Sequence, residues 1–565
     1  MQLFHPENPG DQQFDEKTNK LLEQTVAFFE NKGKAAMKHE DHKAVWVQDF
    51  LDFIKDSSLF ETFLTPSAYG QDGCRFDSAR NTRLSEVLGF YSLSHWYPWQ
   101  VSILGLGPFW MSDNDEQKKA AAAALANGGV FGFALSEKEH GADLIGTDMM
   151  LSANGDGSYT ANGDKYYIGN GNCAALLSCF AKVEGSKEYA FFSLKPDHPN
   201  YNCLQNIVHS QKYVAEFMVN DYPVNEDDLL MKGRAAWDAS LATVAYAKFN
   251  LGLASTGIAT HAFYEAINHA GHRKLYGNLV TDFPHIKQLL GEAYARLCAM
   301  RLFSYRAKDY LRVASAEDRR YLLMTPMEKL KVTMQGEEAI NLVWDVIAAR
   351  GFCKDMYFES ATRDIRMLPK LEGTAHVNMV LIIKFMKSFM FDETPVADVP
   401  FSNAPHEESF FFKQGPTTKG LNKVQFGPWK KAYGGRKEAN VVTFVEQAEI
   451  FRSFLEHCPP SDEQSKDLDF MLSVGEIFTQ IVYGSVILEQ AAQDGVASDV
   501  IDAIFSFQVK DLSRNAQNIY MKKSTSTEQQ DKCQKMVRRP NENESAASNL
   551  HDLVMGQRDA YTMNA

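Results

Sequence analysis

The chain begins without the marks of a secretory leader. Met1 to Lys20 is polar, carries Asp11, Asp15 and Glu16, and has no basic segment followed by an apolar one. A run of about 18 uncharged apolar residues, the minimum for a membrane-spanning helix, is also missing. The nearest approach, Leu241 to Ile267, is interrupted by Lys248, Asn250 and His261 and suits a buried helix. Paired cysteines are missing too. Cys74, Cys173, Cys179, Cys203, Cys298, Cys353, Cys458 and Cys533 are scattered, form no CxxC, and have no histidine at zinc spacing. Free thiols in a reducing, cytoplasmic setting and no bound metal are expected. Positive charge is short: 58 Lys and Arg face 72 Asp and Glu, a net charge of -14, which argues against nucleic acid as the partner. There is no short-period repeat.

What is present is 565 residues of ordinary globular composition, 45% hydrophobic and 23% charged, enough for three or four domains and for cores that hold a cofactor. Residues 1–128 read as helices, from Leu21-Leu22 and Phe28-Phe29 to the alanine run Ala120 to Ala124, stopped by Asn127-Gly128-Gly129. From 129 to 235 the texture is short β-rich runs split by turn residues, with Asn162-Gly163 as a hairpin signal and strands at Tyr189 to Leu194 and Glu216 to Val219. Residues 236–393 return to helix, with an apolar stripe of Ile286, Leu289, Leu290, Ala293, Leu297 and Met300 that reads as core. Residues 394–440 are a linker or long ordered loop rich in proline and glycine. Between Lys413 and Lys437 it carries seven basic residues, which offer a peripheral contact to anionic membrane or stand in water. Residues 441–565 form a further helical module, within which Lys522 to Ser548 is polar enough to be a mobile loop.

Four stretches carry chemistry. In Phe131 to Thr147, FGFALSEKEHGADLIGT, a strand ends at Ser136 and a loop with Gly141 follows; a hydroxyl beside strand-end amides suits the polar edge of a flat ring. In Asn162 to Cys173, two tyrosines precede Gly169-Asn170-Gly171, an aromatic wall and a tight turn. His272 to Gly277 puts Arg273, a phosphate-gripping side chain, at a helix end. Arg363-Asp364 and Leu371 to His376 place Glu372 among apolar residues, where burial would raise its pKa toward that of a general base. Each alone has a plainer explanation: a chain-turning loop, a hairpin, a surface arginine, a solvated glutamate.

Taken in order, they resemble the acyl-CoA dehydrogenase superfamily. Phe133, Leu135, Ser136, Glu137, Gly141 and Asp143 are similar to the pattern that opens the family's β domain. Asn162 to Ile168 is similar to its Asn-Gly-x-Lys-x-Trp-Ile hairpin, with Tyr167 for Trp, and Phe217 to Val224 to the domain's exit. Arg273 to Gly277 resembles Arg-Lys-x-Phe-Gly, with Tyr276 for Phe, and Arg363, Asp364 and Glu372 to Thr374 resemble the closing Arg-Asp and Glu-Gly-Thr. The likeness runs over about residues 20 to 390. It implies an α+β fold of helical domain, β domain and four-helix bundle, here with an appended helical module. It implies FAD, an acyl-CoA substrate, an electron-transfer flavoprotein as acceptor and a homodimer. It assigns Glu372 as the base that takes the α-proton, and Phe133, Leu135, Ser136, Tyr167 and Gly169 to the flavin ring. Arg273 and Tyr276 go to the cofactor across a subunit boundary, and Thr374 and His376 lie near the FAD of the family's final binding segment. The alternative base position, one residue before Lys248, is Ala247.

The departures are specific. Gly169 replaces a threonine that bonds the flavin, Asp345 to Ala349 lacks the Gln-x-x-Gly-Gly of the adenosine half, Pro284 stands for a glutamine and Ala142 for a serine. An acyl-CoA oxidase that reduces oxygen, a flavin monooxygenase of the same fold and a non-catalytic scaffold are the competing readings.

Overall fold

The computed structural model describes residues 3–209 and 213–564. Its first part is helical: α1 (Glu16–Lys43), α2 (Gln48–Asp56), α3 (Leu59–Leu64), α4 (Ser78–Tyr91), α5 (Leu93–Met111) and α6 (Asp115–Ala126). The caps follow the sequence. Asp15 accepts from the Thr18 amide, Asp77 from Ala79 and Asn114 from Gln117, each offering an oxygen to a first-turn N–H that has no partner in its own helix. Helices α4 and α5 are buried almost throughout, so their apolar residues surround the axis rather than forming one stripe.

An eight-stranded sheet follows: β1 (Phe131–Ala134), β2 (Met150–Ala153), β3 (Tyr159–Gly169), β4 (Leu176–Val183), β5 (Tyr189–Leu194), β6 (Tyr201–Asn206), β7 (Val214–Val224) and β8 (Leu229–Lys232). The order is β6-β7-β3-β2-β4-β5-β8, with β1 beside β4 in parallel. Asn162-Gly163 is not the expected hairpin turn. β3 runs through it, and Gly163, at φ 144, sits in a bulge against β7. The turn that pairs β2 with β3 spans Asn154 to Ser158, where Gly155 and Gly157 have positive φ. The sheet has its own core, including Leu151, Ile168, Leu177, Phe192 and Phe217.

The third part holds α7 (Arg234–Ala247) and α8 (Asn250–His272), a short hairpin β9 (Lys274–Leu275) and β10 (Asn278–Leu279), then α9 (Pro284–Arg312), α10 (Tyr321–Met327), a π-helical turn (Glu328–Val332) and α11 (Thr333–Ile347). It closes with α12 (Tyr357–Asp364), α13 (Ala375–Ile383) and α14 (Met386–Phe391). Helix α4 packs on α8 closely enough to require glycine: a Cβ on Gly257 would meet the Glu86 carbonyl oxygen at 2.3 Å.

Residues 394–438 are an ordered strap. Phe411 and Phe412 pack on Phe76 and Tyr246, Glu408 accepts from the Ser78 amide and hydroxyl, and the Tyr433 hydroxyl donates to the Ile481 carbonyl. Lys413, Lys419, Lys423 and Lys437 are exposed; Lys430 and Lys431 pair with Glu449 and Asp398. The last part is α15 (Ala439–His457), α16 (Asp462–Lys466), α17 (Leu468–Gln493), α18 (Ser498–Tyr520), α19 (Thr527–Met536) and α20 (Glu544–Met555). Lys522 to Ser548 is therefore largely helical rather than a loop. Ser526 and Gln529 make a reciprocal capping box, and Gln529, Cys533 and Met536 are buried beneath an otherwise polar surface. Among the described residues α17, not the 241–267 stretch, is the helix long and apolar enough to cross a membrane; 78% of its most apolar window is buried inside the protein. The tail returns to the start: the Lys34 amide donates to the Asn564 carbonyl, and Asn268 to that of Tyr561.

Candidate active site

The site is built at the entrance to α13. Glu372 at φ 52 and Gly373 at φ 86 are successive left-handed residues; the glycine takes this freely, the glutamate only under constraint. The constraint is Asn378, whose Nδ2 donates to the carbonyls of Gly373 and Thr374, both at 3.0 Å. The Thr374 hydroxyl caps the helix by accepting from the Val377 amide. The turn's backbone is partly open to solvent while the carboxyl faces inward. Glu372 Oε1 accepts from Gln100 Nε2 at 2.7 Å, and the same nitrogen donates to the Ala247 carbonyl at 2.9 Å. Oε2 is buried without a partner.

Two cations approach this carboxyl. Lys248, where α7 breaks before α8, donates to Asn378 Oδ1 at 3.0 Å. Lys329, on the π turn, is fully buried, and its Nζ has no hydrogen-bond partner. Burial pushes the Glu372 carboxyl up to about 7; the Gln100 hydrogen bond, Lys329 and Lys248 pull the other way. Burial also brings Lys248 down to about 8 and Lys329 down to about 7, each opposed by the charge on Glu372. A half-ionised carboxylate with a free buried oxygen can take and return a proton near neutral pH.

On the other side, α5 reaches the β domain. A Cβ on Gly169 would lie 2.8 Å from Tyr97 Cε1 and 2.6 Å from Val101 Cγ2. Tyr97 stacks on Tyr213 and is close enough for the Glu372 charge to raise its hydroxyl pKa, with burial the larger cause. The strand-end loop is fastened by a buried ion pair of Lys165 and Glu137 at 2.7 Å, and Lys165 also donates to the Leu135 carbonyl. The Ser136 hydroxyl donates to the Tyr166 carbonyl at 2.8 Å. Leu135 and Ser136 are half-buried and Tyr167, at φ 62, is 62% exposed. Phe133 is buried against Phe191, and Gly169 is buried beneath α5, so neither lies on the open face with Tyr167. Thr374 and His376 are exposed at the head of α13. Arg273 and Tyr276 are exposed in the hairpin after α8, Tyr276 at 96%. Helix α8 starts beside Lys248 and is 23 residues long, a rise of about 34 Å, so this hairpin stands a helix length from Glu372.

Residues 236–387 match the family model described as acyl-CoA dehydrogenase, C-terminal domain. That stretch is thus similar to the C-terminal domain of the acyl-CoA dehydrogenases. Similar curated proteins include the short-chain-specific acyl-CoA dehydrogenase of Megasphaera elsdenii, 22% identical over 63% of this chain and 94% of that one. Another is the mitochondrial short-chain-specific acyl-CoA dehydrogenase of Bos taurus, 24% identical over 49% of this chain and 68% of that one. A Bacillus anthracis acyl-CoA dehydrogenase, solved in complex with FAD, superposes with a TM-score of 0.79 at 16% identity, over 99% of this chain and 97% of that one. Butyryl-CoA dehydrogenase from Megasphaera elsdenii gives 0.58 at 20% identity, over 66% of this chain and 98% of that one. The longer structure therefore matches about a third of this chain that the shorter one does not. The fold is the α+β arrangement of this superfamily.

The motifs point to Glu372 but not to Gln100, Tyr97, Lys329 and Asn378, which the structure brings around it. Gln100 and Tyr97 sit in LSHWYPWQVSILGLGPFWM, whose composition signals only a buried helix. Lys329 sits in a π turn, a feature without a residue signature.

Proposed function

We propose that this protein is an FAD-dependent acyl-CoA dehydrogenase that converts an acyl-CoA thioester to its trans-2-enoyl-CoA, with Glu372 as the base. The observation that carries this is the Glu372 carboxyl: buried, held at one oxygen, unpartnered at the other and poised near neutrality. The residues on the open face fit FAD. Leu135, Ser136 and the exposed Tyr167 ring would hold the flavin ring, and Thr374 and His376 at the head of α13 would lie along its extension, where helix N–H groups favour anionic oxygen. Bound FAD supplies the acceptor for the β-hydride. The protein supplies the rest. Glu372 Oε2 takes the α-proton, which the adjacent thioester carbonyl acidifies, and Lys248 and Lys329 keep the carboxyl from titrating too high. The electrons then go to an electron-transfer flavoprotein.

Arg273 and Tyr276 point to two copies. They stand a helix length from their own Glu372, and an aromatic side chain 96% exposed on a two-stranded hairpin has no support within the chain. In a homodimer each hairpin would reach the partner's cofactor. The test is purification and scanning for flavin absorbance, then anaerobic mixing with a panel from butyryl- to palmitoyl-CoA. About one FAD per chain and bleaching by at least one thioester are expected. Hydrogen peroxide formed in step with product in air would make it an oxidase, and a protein that cannot be loaded with FAD would make it a scaffold.

A further inference from the structure

Gln100 is where α5 meets the Glu372 turn. It is 1% exposed, and its Nε2 serves two acceptors, Glu372 Oε1 at 2.7 Å and the Ala247 carbonyl at 2.9 Å. The reverse amide orientation would aim Oε1 at two acceptors, so the hydrogen bonds fix which way the group points. The cost of that orientation is visible: Gln100 Oε1 is buried with no donor. A side chain kept only to fill this space would do better as an apolar isostere, which buries no unpaired acceptor. Gln100 makes the one hydrogen bond to the Glu372 carboxyl seen among the described residues, and it spans the end of α7 and the entrance of α13 from a helix that belongs to neither.

We propose that Gln100 is the positioning residue of the base: it pins Oε1 so that Oε2 alone is free for the substrate's proton, and it sets the pH range in which Glu372 works. This rests on the reading of Glu372 as the base. The charged and titratable groups around that carboxyl are Lys248 at the α7–α8 break, Lys329 on the π turn and Tyr97 on α5, with Lys370 and Glu337 acting on Lys329. Of the contributions that favour the carboxylate, the Gln100 hydrogen bond is the largest. Neither lysine lies within ion-pairing distance of Glu372, whereas the Gln100 bond is short and direct. A donor bond to an ionised group is also more directional than a charge acting from further away.

The experiment uses full-length protein loaded with FAD, and follows the anaerobic bleaching rate against pH with the thioester that reduces it fastest. Gln100→Met keeps the volume and removes the donor; Gln100→Asn keeps an amide too short to reach. In both, the acid limb of the profile should rise by about one to two pH units while the plateau above it survives. A limb that stays at its wild-type position in either variant overturns the proposal. So does loss of flavin and folding in both, which would make Gln100 a packing residue. Near-normal bleaching by Glu372→Gln is a different outcome, since it removes the base itself rather than what positions it.

Discussion

Replacing Glu372 with Gln tests the burial of its carboxyl through stability as well as rate. Its carboxyl is pushed from 4.5 to about 7 in the folded chain. Between those values the native state holds a proton that the unfolded state releases, so wild-type stability falls as pH rises through that window. The shift corresponds to about 3 kcal/mol at full effect, at 1.36 kcal/mol per unit. The step from pH 5 to pH 8 captures less than all of it, because an unfolded carboxyl of pKa 4.5 is already mostly ionised at pH 5. The Glu372→Gln side chain has no such proton. The amide's own cost is constant with pH, so the informative quantity is the variant-minus-wild-type difference at pH 8 less that at pH 5. Urea unfolding at the two pH values should show the variant gaining up to about 3 kcal/mol relative to wild type on going to pH 8. Its anaerobic bleaching should fall by about 10²- to 10⁴-fold or more with FAD still bound. If variant and wild type change stability in parallel between pH 5 and pH 8, burial does not hold the carboxyl protonated and the argument fails.

Lys329→Met should act in the opposite sense. The native state releases this proton near 7 and the unfolded state only near 10.5, so the lysine destabilises most below 7; the variant should unfold at higher urea at pH 6, with little change at pH 10.5 and above, while the acid limb of its bleaching profile moves up. Light scattering should give a dimer, twice the 63.6 kDa chain, and Tyr276→Ala should lower flavin content without shifting the unfolding midpoint; a monomer that holds full flavin would refute the exchange of hairpins.

The order helical, β, helical, helical was legible because texture changes with the period of the apolar residues, and Glu372 stood out as the proposed base because it lies in a short motif. The sequence misled where local signals competed with packing. Asn162-Gly163 has turn composition, but β7 lies alongside and draws the strand straight through with a bulge. Lys522 to Ser548 looks disordered by charge, yet three buried side chains, Gln529, Cys533 and Met536, dock a helix there. Gln100 and Lys329 were illegible for another reason: each is one polar residue in an apolar segment, and what makes them part of the site is which distant turn they face.

Gly169 is the sharpest case. Read along the chain, it is a lost hydroxyl beside the flavin, and so a sign that oxygen has access to the reduced cofactor. In three dimensions it is buried, and α5 lies so close that Val101 Cγ2 and Tyr97 Cε1 occupy the space a side chain would need, at 2.6 and 2.8 Å from the Cβ position. The glycine is then explained by packing, whatever takes the electrons. Gly169→Thr should overpack the contact between α5 and β3 and destabilise by about 1–3 kcal/mol. It should also disturb Gln100 one helical turn beyond Tyr97, and Val101→Ala in the same chain should recover part of the stability by removing the nearer clash. Urea unfolding of the single and double variants decides it. A Gly169→Thr protein as stable as wild type, with slower reoxidation by dissolved oxygen, would return the residue to the flavin and refute the packing account.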